Sequence, residues 1–459
     1  MADITVDNIV DYVIQSESKN LSNSVLHHAK RRVVDTIGCA LGAYHAPPTR
    51  IAREMAIPLT SSFSARVLGS LTRTTPELAA FANGVMVRYL DFNDSSLGGS
   101  RGGHPSDYFS GVLAMAEATG ANGRDFLLAL TICYEVQCRL ADSAPFEEKG
   151  WDQPIAGLVG VAAACGKLLG LSRSKLCHAI SLAVIPNLCS HRTRIGEISM
   201  WKACAGANAA RQGIVAAVLA SKGMTGPTDP FEGRFGVWAL TMQQRYDIKP
   251  LTCAGEEFAI ALSSLKSYPV RTSAQLMVNA ALDLRRKIAV KDIVSLRVCT
   301  FRDSFKNRDI EWPESWSVTT KETADHSIFF AVAVTFLDGE LTPSSYERER
   351  YLDTDVHDFI KRAKLELVEA YDAEYAHGIR NCMIEVTTVD GVEYSSHQRA
   401  TPEEVARGPS DAEIEEKFGR LSEKLMSLDQ RRALLTVLWN LENLADVGTV
   451  VDHTAILNP

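Results

Sequence analysis

The ten cysteines, Cys39, Cys133, Cys138, Cys165, Cys177, Cys189, Cys204, Cys253, Cys299 and Cys382, include no C-x-x-C pair. Neither a zinc ribbon nor a thioredoxin-like motif is indicated, and buried, reduced thiols of a cytoplasmic protein are expected. The H-x-x-x-H and H-E-x-x-H spacings of zinc hydrolases are missing, as are the G-x-G-x-x-G and G-x-x-x-x-G-K-[ST] phosphate loops. A metal- or nucleotide-dependent mechanism therefore has no sequence support, and no metal and no cofactor are expected. Long apolar runs are lacking too: residues 155–171 are broken by Gly157, Gly160, Gly166 and Lys167 and fall short of the roughly 20 residues that span a bilayer, so no membrane association is expected. The opening segment carries Asp3, Asp7, Asp11 and Glu17 without arginine, unlike a secretory or mitochondrial leader. The final Leu457-Asn458-Pro459 is not a peroxisomal address. No basic run interrupts a balance of 48 Lys+Arg against 56 Asp+Glu, and the net charge of −8 opposes a nucleic-acid partner.

What is present is the composition of a globular protein. The 459 residues are 46% hydrophobic and 23% charged, enough to bury a large core in two or three folding units. From about residue 5 to 245 the apolar period is helical, clearest at 22–44, 76–90, 107–119, 122–141, 155–169 and 204–222. In 76–90, Leu78, Phe81, Ala82, Val85 and Met86 recur at three- and four-residue spacing behind a Pro76 suited to the first turn. Near residue 290 the period becomes two. Residues 293–300 alternate, and 383–395 read as a hairpin around Asp390-Gly391. Helices return from 412 to 442. The expected fold class is mainly α: a large all-helical domain (1–264 and 399–459) with an inserted, smaller α+β lid domain (265–398).

Several segments carry reactive groups. If the 76–90 helix runs on through Ser95, then Asp91, Asp94 and Ser95 share a face, and the glycine-rich loop containing Arg101 folds His104 back toward them. A polar helix end with His104 as an ordinary loop residue is the plain alternative. Arg192, Arg194 and Lys202 surround the start of a small-residue helix, a suitable place for a carboxylate or phosphate, or else a solvated basic turn. Lys266, Arg271 and Gln275 open the α+β unit where ligand clefts commonly form. Asp325 either caps the helix that follows or orients His326.

In order along the chain, Asp91-Phe-Asn-Asp94-Ser95, Gly103-His104-Pro105, Gly150-Trp151-Asp152, Arg192 through Trp201-Lys202, Gly223-Met-Thr-Gly-Pro, Tyr268-Pro-Val and Thr323-Ala-Asp325-His326-Ser327 resemble the MmgE/PrpD family, which includes 2-methylcitrate dehydratase and cis-aconitate decarboxylase. The resemblance implies a helical domain with a lid, a homodimer, a site between the domains and no cofactor. It also implies active-site roles for Asp91, Ser95, His104, Lys202 and Lys266. The blocks look more like the dehydratase branch. Two departures stand out: Arg271, Thr272 and Ser273 replace a Glu-Tyr-His run, and Gln153 follows Trp-Asp where histidine is usual. The expected activity is elimination of water from a 2-methylcitrate or longer 2-alkylcitrate, a small tricarboxylate. His104, Asp91, Lys202 and Lys266 would serve as the catalytic set, with Ser95, Asp94, Arg101, Arg192, Arg194, Arg271, Gln275 and His326 binding substrate. Decarboxylation of a cis-aconitate-type acid, and a non-catalytic tricarboxylate-binding relative, are the alternatives.

Overall fold

The computed structural model describes residues 3–96, 103–253, 258–304 and 313–457, and it is mostly helical with small sheets. Helix starts follow capping chemistry: Ser22 accepts from Val25 N, Asn122 from Asp125 N, and Ser410–Glu413 and Ser427–Gln430 form reciprocal capping boxes. Buried apolar side chains gather mainly in two clusters. One takes residues from Val6 to Leu265 and again from Ile414 to Ile456; the other runs from Val270 to Val386. Among the described residues no helix is long and apolar enough to cross a membrane.

Two helix pairs of the first cluster bring distant charged residues together. The helix Pro76–Tyr89 packs against the helix Trp201–Ser221 so closely that a Cβ on Gly84 would lie 2.8 Å from the Ala207 Cβ. This contact sets the C-terminal turn of the first helix, carrying Arg88, beside the N-terminal turn of the second, carrying Lys202. The helix Asp411–Ser422 packs on Asn23–Gly42, with Phe418 against Gly38.

Strands β1 (Ala65–Arg66) and β2 (Arg73–Thr74) form a two-residue ladder. The second cluster lies under a four-stranded sheet of order β4-β3-β5-β6, built from β3 (Ile293–Thr300), β4 (Ala363–Leu367), β5 (Arg380–Thr388) and β6 (Glu393–Ala400). β3 runs parallel to β4 and antiparallel to β5. The β5–β6 hairpin turns at Gly391 with φ +76°, as its Asp-Gly pair requires. All ten cysteines are unpaired; six are buried, whereas Cys177, Cys189, Cys204 and Cys253 are only partly covered.

One buried ion pair joins distant parts of the chain. Lys417 Nζ donates to Asp35 Oδ1 at 2.6 Å, to the Phe92 carbonyl at 2.7 Å and to the Lys266 carbonyl at 3.0 Å. Burial raises the Asp35 carboxyl against the lowering pull of Lys417. Replacing Lys417 by methionine strands a carboxylate and two carbonyls, so a loss of about 3–5 kcal/mol is expected, measured as the shift in a urea unfolding midpoint.

Candidate active site

The Pro76–Tyr89 helix stops before the residues expected to extend it. Asp91 adopts a left-handed backbone, φ +51°, a conformation that a non-glycine residue holds only at a cost of about 1–3 kcal/mol. The turn takes Asp91, Asp94 and Ser95 off a common helical face. Asp91 points into a cluster of cations. Its Oδ1 accepts from Lys266 Nζ at 3.0 Å and from Arg88 Nη1, and its Oδ2 lies 3.7 Å from Lys202 Nζ. Lys266 Nζ also donates to the Asp91 carbonyl at 2.8 Å.

Asp94 turns the other way. Its Oδ1 accepts from Ser106 N and its Oδ2 from Tyr134 Oη, both at 3.0 Å, while its carbonyl meets His104 Nδ1 at 2.7 Å. Asp94 thus fastens the 103–108 segment and orients the imidazole. Ser95 pairs with Ser264 through two backbone hydrogen bonds of 2.8 and 2.7 Å, which carries Lys266 to Asp91. The Ser95 hydroxyl is buried without a hydrogen-bond partner.

The segment around residue 325 closes the cluster. Thr323 Oγ1 accepts from Ile198 N at 3.3 Å and Thr320 Oγ1 donates to the Ile198 carbonyl at 3.4 Å, placing Asp325 against Lys202. Asp325 also takes Lys321 Nζ at 2.7 Å, one helical turn before it, and His326 Nδ1 at 2.6 Å. Of the two roles open to Asp325, orientation of His326 is the observed one; the cap of the helix Ile328–Asp338 is Ser327, which accepts from Phe330 N.

A carbonyl only accepts, so the 2.7 Å contact with Asp94 assigns the proton of His104 to Nδ1 and leaves Nε2 as an acceptor, 3.9 Å from Asp91 Oδ1. The same reasoning puts the proton of His326 on Nδ1, which lies 3.5 Å from Asp91 Oδ2. The two imidazole side chains keep 13% and 11% exposure, while Arg88, Lys202, Lys266 and Lys321 keep 8% or less. The imidazoles are thus the cluster's more accessible groups.

Electrostatics separates the roles. Burial pushes the Asp91 carboxyl up, but Arg88, Lys202 and Lys266 outweigh it and hold Asp91 well below the usual carboxylate range. Asp91 is an ionised anchor rather than a group that titrates near neutrality. Burial, with Arg88 and Lys266, holds His104 well below the ordinary imidazole value, and burial with Lys202 takes His326 down to about 3. Both rings are neutral at pH 7. Burial lowers Lys202 to about 8 against the opposing pull of Asp325 and Asp91.

Asp91, Asp325 and His326 bring ligand atoms within 4.8 Å of one another, a donor set of metal-binding type. Lys202 Nζ already lies against both carboxylates, with Arg88, Lys266 and Lys321 around them. The donors do not fit a resident dication, since the positive charge they call for is supplied by side chains.

The other expected site residues are placed elsewhere. Arg194 is buried, donating Nε to Asp152 Oδ1 at 2.7 Å, and Arg192 is exposed. Arg271 donates to the His326 carbonyl at 3.3 Å and the Ser304 carbonyl at 2.9 Å, bracing the turn that carries His326. The Gln275 amide accepts from Ser267 N and Tyr268 N and donates to the Tyr268 and Val270 carbonyls, closing the turn behind Lys266. Gln153 packs on Gly103, where a Cβ would fall 2.0 Å from its Oε1. Arg101 lies outside the described residues. Sequence reasoning passed over Arg88 and Lys321; their signal was the i, i+3 spacing to Asp91 and the i, i+4 spacing to Asp325.

Residues 7–249 match the MmgE/PrpD N-terminal domain and residues 268–443 the MmgE/PrpD C-terminal domain. The chain belongs to the MmgE/PrpD family. Among its MmgE/PrpD relatives, cis-aconitate decarboxylase of Homo sapiens is 28% identical over 94% of this chain and 90% of the relative. The 2-methylcitrate dehydratase of Cupriavidus necator is 29% identical over 74% of this chain and 72% of its own, and that of Escherichia coli K12 is 27% identical over 75% and 74%. Membership makes the chain an enzyme, consistent with a hydro-lyase. The second match extends to residue 443, past the sheet and into helices that pack on the first cluster.

Neutralising Asp91 leaves three buried cations without their common partner. Asp91→Asn is expected to lose about 3–5 kcal/mol of folding stability, read from denaturant unfolding of the pure protein.

Proposed function

We propose that the protein eliminates water from 2-methylcitrate or a longer 2-alkylcitrate, giving the alkyl-cis-aconitate, with both proton transfers carried by its own side chains. The observation that supports this most strongly is the pairing of a neutral His104, its acceptor nitrogen toward Asp91, with a Lys202 poised at about 8. Dehydration needs both kinds of group: a base that removes the proton α to a carboxylate and an acid that protonates the departing hydroxyl. In this reading His104 Nε2 takes the proton, the double bond forms as the C–O bond breaks, and Lys202 delivers a proton to the leaving oxygen as water. The products are the unsaturated tricarboxylate, water, protonated His104 and neutral Lys202, which exchange protons with solvent to reset. The enolate that develops is stabilised by Lys266 and the neighbouring ammonium and guanidinium groups, which are oriented before substrate arrives. Four cations face Asp91 and Asp325, a local surplus suited to a tricarboxylate within a protein of net charge −8. The unpartnered Ser95 hydroxyl is available to one substrate carboxylate.

We further infer that residues 265–398 act as a lid on a helical body formed by 1–264 and 399–459, and that the protein works as a homodimer. Decarboxylation of a cis-aconitate-type acid is the second reading. It is favoured by the 94% coverage of this chain in the match to the human decarboxylase, and the same cations would hold the carbanion while Lys202 reprotonates it.

Incubation with alkylcitrates of increasing chain length and mass detection of the product separates the readings: loss of water is expected, and loss of carbon dioxide would replace this reading with the second. His104→Ala is expected to reduce turnover by about 10²–10⁴-fold. Because Lys202 is protonated below its pKa and neutral above it, kcat should fall as pH rises through about 8, and Lys202→Arg should abolish that alkaline limb.

A further inference from the structure

Another buried carboxylate, with no part in the proton transfers, stands behind Asp91. Asp107 is 1% exposed and comes three residues after His104, in the turn Pro105–Tyr108. Its Oδ1 accepts from Asn93 Nδ2 at 2.9 Å. Its Oδ2 takes no hydrogen bond and faces Arg88 Nε at 3.5 Å, while Nη1 of the same guanidinium holds Asp91 Oδ1. Arg88 therefore spans two carboxylates, one in the site and one behind it. The Trp201–Ser221 helix leaves room for this arrangement, since a Cβ on Gly206 would come 2.7 Å from Asp107 Oδ2.

We propose that Asp107 is a positioning residue: by holding the Nε edge of Arg88 it keeps Nη1 on Asp91, and so keeps the Asp91 carboxylate aimed between Lys202 and Lys266. The planar guanidinium suits this task because its donors lie in a rigid fork, so fixing one edge fixes the other. Held at Asp91 alone, the buried guanidinium is free to pivot about that one contact and to carry the Asp91 carboxylate with it. The inference rests on the dehydratase reading.

The charged groups facing Asp107 come from three segments: Arg88 from the Pro76–Tyr89 helix, Arg194 from the turn His191–Arg194, and Asp94 from the turn after Asp91. The Trp201–Ser221 helix presents Gly206. Burial raises Asp107 to about 6 in spite of Arg88 and Arg194. Below that pH it is protonated and releases Arg88; above it the anchor is complete.

The test compares the wild type with Asp107→Asn, Arg88→Lys and the double variant. Each is assayed for kcat and KM against pH with the best alkylcitrate, and for binding of propane-1,2,3-tricarboxylate by calorimetry, which needs no turnover. For Asp107→Asn the expected result is a kcat at least about tenfold lower, with KM and the calorimetric Kd within about threefold of wild type. The acid limb near pH 6 should disappear, and the double variant should be no slower than Arg88→Lys alone, as for two residues acting through one contact. Wild-type kcat with the acid limb intact overturns the proposal. So do additive losses in the double variant, or loss of tricarboxylate binding together with turnover, which would make Asp107 a fold residue. A wild type inert toward every alkylcitrate instead overturns the dehydratase reading and this inference with it.

Discussion

A single ionised carboxylate, Asp91, organises the centre of this protein. It is fully buried, and an isolated charge there would be neutralised by its own desolvation cost. It stays charged because Arg88, Lys202 and Lys266 converge on it from three parts of the chain. The dependence is mutual, since two buried lysines and a buried arginine are themselves tolerable only beside an anion. Asp325 repeats the arrangement one step further out, taking Lys202 and Lys321. The result is a lattice of alternating charges with a positive surplus, rigid because no member can leave without stranding another.

That lattice divides acid–base work among chemically ordinary groups. Burial acts on every titratable member, yet the outcome differs with the neighbours. Asp91 goes down because the cations around it outweigh burial, His104 and His326 go down because burial and the same cations act together, and burial lowers Lys202 to about 8 against the pull of two aspartates. Perturbed values of this kind, gathered around accessible imidazoles, are a mark of functional sites in general.

Much of the framework was legible in the sequence. The helical period over 76–90, the alternation at 293–300 and the Asp-Gly hairpin appear where the local pattern puts them, because each element carries its own period and caps. The resemblance singled out Asp91, Ser95, His104, Lys202 and Lys266, and these lie together or next to the cluster. What could not be read is how each charge is used. Arg194 and Arg271 look like substrate cations in the sequence, yet one is bound to Asp152 and the other to backbone carbonyls. Helical spacing suggested one shared face for Asp91, Asp94 and Ser95, whereas a left-handed residue turned them apart. Pairings such as Lys266 with Asp91, 175 residues apart, and Lys202 with Asp325, 123 apart, leave no local trace, whereas Arg88 carried one in its i, i+3 spacing to Asp91.

The Lys417 strut has a consequence for the order of events during synthesis. Its partners Asp35 and Phe92 lie 382 and 325 residues earlier, and its third bond goes to the carbonyl of Lys266 itself. Helices of the N-terminal half can form on local information as soon as they leave the ribosome. The charged centre, however, joins Asp91 to a Lys266 that follows 175 residues later and to a brace a further 151 residues on. A nascent chain therefore carries unpaired buried-type charges until the Asp411–Ser422 helix has been made, which disfavours early closure around the site and ties assembly of the reactive centre to arrival of that helix.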